Sequence, residues 1–200
     1  MILNELLMDD TFSEVRIFVR KSTGISNPKL KEFVTDMMDI TTQGPEIKGD
    51  VLFNALGTTI KQAGSKEEQQ RIDRDLPIGF ARISSENGVR IMLNVSSLGA
   101  NINGGFYLKT KAEMESGTQK YFPKSVLHFR PGLLAGRRKD FRLTEKIAIA
   151  VMKIMDPLLT GSFKRYRSMP VDKLAKAMVR LSKDPAGKPT VLYFSEIMAS

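Results

Sequence analysis

The sequence contains no cysteine and no tryptophan. Without cysteine there is no disulfide framework, no thiolate metal site and no thiol nucleophile, which fits a reducing compartment. There is a single histidine, His128, set in the apolar run Val126, Leu127, Phe129. It reads as a satisfied sheet residue, so neither a Ser-His-Asp hydrolase nor a metal site is expected. No uncharged apolar stretch approaches the roughly 18 residues that a membrane helix needs. The opening MILNELLMDD is acidic, with no cationic region and no cleavage site, so no signal peptide is expected there and a cytoplasmic location is the default.

What is present is ordinary for a globular chain: 200 residues, 42% apolar and 26% charged. That length suits one domain with a sizeable core. The net charge of +9 is unevenly placed. Residues 1–100 hold 12 Lys/Arg against 14 Asp/Glu, whereas residues 101–200 hold 19 against 8. The excess gathers in Arg137-Arg138-Lys139, Arg142 and Lys164-Arg165-Tyr166-Arg167. A basic half fits nucleic acid, anionic lipid, a small anionic ligand or simply a solvated face. Nucleic acid is the least supported, because aromatic and basic residues do not interleave.

Short β-branched apolar runs alternate with helix-length amphipathic segments. Strands are expected at 15–19, 33–35, 50–56, 89–95 and 125–129, and helices at 66–86 and 109–119. This alternation points to a parallel, three-layer α/β sheet. Strand 50–56 is apolar on both faces, as a sheet covered on both sides requires. Beyond Pro131 come helices at 144–158 and 170–181 and a terminal strand at 190–194. The expected organisation is a single domain over 1–200, with a core over 1–130 and a substrate-side region over 131–200.

The chemistry concentrates in Ser96-Ser97, at a strand end, and Tyr107-Leu-Lys-Thr-Lys111 ten residues on. On a helix, positions i and i+4 share a face, so the Tyr107 hydroxyl and Lys111 ammonium can enter one site. A nearby cation favours the phenolate, and a strand-end serine can hydrogen-bond the same substrate oxygen. Together they make a proton donor for a carbonyl undergoing reduction.

The chain resembles the atypical short-chain dehydrogenases/reductases of the Tat-interacting-protein and bacterial oxidoreductase group. The resemblance runs through Val15–Arg20, Leu56-Gly-Thr-Thr59, Ala63-Gly-Ser65, Asp73, Asn94–Ala100, Tyr107–Glu115, Phe129–Gly136 and Phe141-Arg142. It implies a Rossmann-like fold binding NADP, with NAD as the alternative. Tyr107 would be the catalytic acid/base, Lys111 would orient the coenzyme ribose, and Ser97, rather than Ser96, would hold the carbonyl. Arg20, with Lys21 beside it, would meet the 2′-phosphate, or be no more than a strand-end charge. Asp36 would touch the adenine or cap a helix. Leu56, Gly57 and Thr58 would lie along the coenzyme, and Pro131 and Gly132 beside the nicotinamide. Arg137, Arg138 and Lys139 depart from the group's pattern without an evident reason.

The resemblance also implies an opening strand and a Gly-x-x-Gly-x-x-Gly turn, whereas this sequence opens within the following helix, at Met1–Leu7. That strand would sit mid-sheet, and the turn would hold the pyrophosphate. Either the natural protein starts upstream, or strand 15–19 closes directly on strand 50–56, or a partner chain fills the gap. The expectation is an NAD(P)H-dependent oxidoreductase-like protein acting on a small carbonyl substrate and binding coenzyme weakly as it stands. The alternative is a non-catalytic coenzyme-sensing or protein-interaction module. A second copy of the chain remains open as a partner, and a membrane is not expected.

Overall fold

The computed structural model describes residues 1–37, 40–135 and 159–199. Its centre is a four-stranded parallel sheet in the order β3 (Val51–Asn54), β4 (Ile91–Val95), β5 (Val126–Phe129) and β8 (Val191–Leu192). Two shorter parallel pairs accompany it. One joins β1 (Val15–Val19) to β2 (Leu30–Val34), and the other joins β6 (Leu134–Ala135) to β7 (Met169–Pro170).

Seven α-helical segments pack around these strands among the described residues: α1 (Ile2–Met8), α2 (Ile60–Ala63), α3 (Lys66–Gln70), α4 (Leu76–Glu86), α5 (Phe106–Gln119), α6 (Val171–Lys183) and α7 (Phe194–Ala199). Alternation along β4 explains the layering. Leu93 joins a cluster with Phe129, Leu174, Met178 and Ile197, which covers one face with α6 and α7. Met92 turns the other way, to Ala81, Phe122 and Val126, under α4 and α5. The chain is α/β with helices on both faces of the sheet, as the strand–helix alternation implied.

Local signals set the helix ends. Ser65 accepts a hydrogen bond from the Glu68 N–H at 3.0 Å and caps α3. Gly88, at φ 84°, ends the helical run after α4 and turns the chain towards β4. Between α3 and α4, residues Arg71–Asp75 form a π-helical turn inside a segment whose periodicity predicts an unbroken helix.

Four expectations change. The strand placed at 33–35 lies earlier, because Leu30–Val34 aligns with Val15–Val19 despite the charged Lys31 and Glu32. The terminal strand is only Val191–Leu192, and α7 follows it. Strand 15–19 does not close on strand 50–56, for β1 and β3 belong to separate sheets. The helix expected at 144–158 and the residues Arg137, Arg138, Lys139 and Arg142 lie outside the described residues.

Candidate active site

Parallel strands end together, and ligands of open α/β sheets bind outside those carboxyl ends. Here β3 runs out into Leu56-Gly57-Thr58, β4 into Ser96-Ser97, and β5 into Pro131-Gly132. The Leu98 N–H donates to the Pro131 carbonyl at 2.9 Å, which ties the second of these ends to the third. Gly132 leaves no room for a side chain, because a Cβ there would lie 3.0 Å from the Arg167 carbonyl oxygen. The backbone of the basic run at 164–167 therefore lies against this turn.

Tyr107 and Lys111 both lie in α5, one turn apart, as their spacing requires. Their environments differ sharply. Tyr107, in the first turn, is 41% exposed, whereas Lys111 is 3% exposed. The Lys111 ammonium lies 6.0 Å from the Tyr107 ring centroid. Its nearest charge is Asp73, whose Oδ1 is 2.9 Å away and whose residue is fully buried.

Asp73 is the residue to which sequence reasoning assigned no role. It sits in the π-helical turn, whose extra residue shifts the side chains off the α-helical faces. Regular α-helical periodicity through this segment would not aim it at Lys111. The pair also fixes the end of β3. The Thr58 N–H donates to Asp73 Oδ2 at 3.3 Å, and the Lys111 ammonium donates to the Leu56 carbonyl at 3.4 Å. Gln69 adds a bond to the Thr58 carbonyl at 3.0 Å. A Cβ on Gly57 would stand 3.1 Å from Asp73 Oδ1 and 3.7 Å from the Lys111 ammonium, so the bare backbone is needed at this position.

The two serines separate. The Ser97 hydroxyl is half-buried and donates to the Leu98 carbonyl at 3.3 Å. Ser96 is buried beside β5, its N–H bonded to the Phe129 carbonyl, and its hydroxyl has no hydrogen-bond partner among the described residues. Arg20 and Lys21 are exposed past the end of β1, and Asp36 is exposed past β2 near the charge of Arg71. These three stand on the separate β1–β2 pair.

Deeper in the sheet, Asn54, Asn94 and His128 form a row across β3, β4 and β5. Asn54 donates to Asn94 at 3.0 Å, and Asn94 meets His128 Nδ1 at 3.2 Å and Thr118 Oγ1 at 3.0 Å. Burial pushes the His128 imidazole down to about 4, so it is neutral in the sheet interior. Glu115 of α5 grips Arg130 at 2.5 and 2.8 Å, and Arg130 also donates to the Tyr193 hydroxyl at 3.2 Å.

No protein-family model matches the chain. It is similar to the protein FMP52, mitochondrial, of Eremothecium gossypii, with 28% identity over 99% of this chain and 90% of that protein. The protein of the same name from Saccharomyces cerevisiae is 31% identical over 75% of this chain and 66% of its own length. Among solved structures, a UDP-galactose 4-epimerase aligns with a TM-score of 0.64 and 18% identity over 96% of this chain and 72% of that one. MoeE5, in complex with UDP-glucose and NAD, aligns with a TM-score of 0.67 and 13% identity over 99% and 75%. The chain thus shares the Rossmann-like fold of these two structures. The cytoplasmic expectation is corrected by the curated relatives, which are named as mitochondrial proteins.

Proposed function

We propose that the chain is a mitochondrial, NAD(P)-linked oxidoreductase-like protein of the atypical short-chain dehydrogenase type, acting on a small carbonyl or carbinol substrate. The observation that carries this reading is the Tyr107–Lys111 pair, one turn apart in α5, with Tyr107 exposed and the Lys111 ammonium fixed at the carboxyl end of β3. The solved neighbour that holds NAD, and the epimerase, share the fold on which the site stands.

The residues fit the nicotinamide-ribose end of such a coenzyme. Gly57 bares its backbone beside Lys111, and the strand ends at Thr58, Ser97 and Pro131 line up at the same edge. Arg20 and Lys21, exposed beyond β1, supply positive charge for a 2′-phosphate, so NADP is the preferred form. When bound, the coenzyme supplies or takes a hydride. Tyr107 gives the proton to the substrate oxygen or removes it, and Ser97 hydrogen-bonds that oxygen. Lys111, held by Asp73 and Leu56, places its ammonium group 6.0 Å from the centroid of the phenol ring.

The test is a backbone-amide NMR titration with NADPH and, separately, NADH, read at Gly57, Thr58, Gly132 and Arg20. Shifts at the first three are expected with both coenzymes, with Arg20 responding to NADPH alone. Lys111→Met should weaken binding by about tenfold, the worth of one charge-assisted bond. Tyr107→Phe should leave the binding curve unchanged while abolishing NADPH-dependent reduction of carbonyl probes. Shifts confined to other surfaces, or a Tyr107→Phe variant with undiminished turnover, would sink the assignment.

A further inference from the structure

Strand β1 runs out into Arg20-Lys21-Ser22-Thr23, and residues 20–26 of its link to β2 are all exposed and lie outside helix and strand. Glu32 of β2 clamps this link. Its carboxylate accepts from the Ser22 hydroxyl at 2.6 Å and from the Thr23 N–H at 2.8 Å. The Ser22 oxygen accepts in turn from the Gly24 N–H at 3.2 Å, and the Thr23 hydroxyl accepts from the Ile25 N–H at 3.3 Å. The Ser22 hydroxyl, and after it the Thr23 N–H, hold the Glu32 carboxyl below the usual carboxylate range. The clamp is therefore built on a negative charge.

We propose that Thr23 is a phosphorylation site for a basophilic protein kinase, and that its phosphate opens the Glu32 clamp and masks Arg20 and Lys21. Three observations converge on this site. The first is charge order. Arg20 and Lys21 stand three and two residues before Thr23, a pattern that an acidic kinase cleft reads along an extended segment. The second is access. Every residue from Arg20 to Ser26 is exposed, so the segment can enter such a cleft without unfolding the sheet. Ser22 is the poorer acceptor, because it follows the cations by one residue less and commits its hydroxyl to Glu32. The third is consequence. The kinase transfers the γ-phosphoryl group of ATP: a bond forms from phosphorus to the Thr23 oxygen as the bond to the ADP oxygen breaks. The hydroxyl proton leaves to the kinase's base. The product carries about two negative charges beside the Glu32 carboxylate, and like charges drive the clamp apart. The same charges offset those of Arg20 and Lys21 from within the chain, at a local concentration that a free ligand cannot match. The effect on coenzyme rests on the reading above, in which these two cations receive a 2′-phosphate. NADH lacks that group, so the modification acts on NADPH selectively.

The test treats the full chain with ATP and the catalytic subunit of cyclic-AMP-dependent protein kinase, a basophilic reagent, and maps the product by mass spectrometry. Phosphate should appear on Thr23, persist in Ser22→Ala and vanish in Thr23→Val. The clamp is read without coenzyme, by NMR titration of the Glu32 side chain. Its midpoint should rise on phosphorylation, since the carboxylate loses two donors and gains a like-charged neighbour. Both coenzymes are then titrated calorimetrically. Phosphorylation should weaken NADPH by about tenfold or more and leave NADH within about twofold, the loss of a charge-assisted contact that only NADPH makes. The proposal is overturned if Thr23 takes no phosphate, if the Glu32 midpoint stays where it was, or if both coenzymes weaken equally. If the unmodified chain binds neither coenzyme, the coenzyme reading falls, while the mapped site and the Glu32 midpoint still decide the modification.

Discussion

Lys111 is buried against a carboxylate, so its positive charge is balanced before any ligand arrives. A buried ion pair adds little net stability, but removing one partner strands the other charge in a low-dielectric interior. Asp73→Ala should therefore cost about 3–5 kcal/mol in urea unfolding. Asp73→Leu combined with Lys111→Met should recover much of that loss, and a double mutant as unstable as the summed singles would show that the pair is not coupled. His128 gives a second residue-scale prediction. Its ordinary value is 6.5 and burial lowers it to about 4 in the folded protein. The unfolded chain then binds the proton first as pH falls. Stability is full above about 6.5 and declines down to about 4, by roughly 3 kcal/mol in all for this one group. His128→Gln should flatten that part of the pH–stability curve relative to the parent, and an unchanged slope would mean that the imidazole is not buried as neutral.

At the scale of elements, α4 and α5 meet so closely that a Cβ on Gly117 would lie 2.2 Å from Ile78 Cδ1. Gly117→Ala should destabilise by about 1–3 kcal/mol through overpacking, and adding Ile78→Ala should restore most of it. Thermal or urea unfolding of the three variants checks the coupling. Glycine inside a helix would otherwise be replaced by alanine at a gain, so the sign of this change is informative. Much of this layer was legible in the sequence. β1, β4 and β5 follow from β-branched apolar runs, and the shared face of Tyr107 and Lys111 follows from their spacing. The illegible parts have physical reasons. Lys31 and Glu32 disguise β2, because among the described residues this strand pairs on one side only, and its charges find surface partners, Lys31 in Glu14 and Glu32 in Ser22 and Thr23. The π turn at Arg71–Asp75 adds one residue to a helix without a marker in the pattern, and so hides the aim of Asp73. The short β8 reads longer than it is because Tyr193 and Phe194 continue its apolar run into α7.

At the scale of the molecule, the four-stranded sheet and the β1–β2 pair are joined through side chains rather than a hydrogen-bonded ladder. Phe18 stacks on Phe33 with ring centroids 5.1 Å apart and reaches Phe80 of α4 at 5.5 Å. Leu6 and Val15 pack with Val179 of α6, and Lys183 pairs with Asp9 just past α1. Side-chain contacts of this kind open more easily than a continuous sheet, where neighbouring strands share every ladder. The β1–β2 pair should therefore open as its own unit, at a lower free energy than β4 and β5. Native-state hydrogen exchange can measure this at Ile17 and Val19, which face β2, against Met92 and Asn94, which face β5. Phe80→Ala removes the aromatic bridge and should lower protection of Ile17 and Val19 more than that of Met92 and Asn94. The reverse substitution, Met178→Ala in the cluster under α6, should lower protection of β4 and β5 through the global term. Equal protection across both sets, and equal losses in both variants, would mean that the two sheets unfold as one cooperative unit. In that case the side-chain packing of Phe18, Leu6 and Val15 would carry as much cohesion as a hydrogen-bonded ladder between the two sheets.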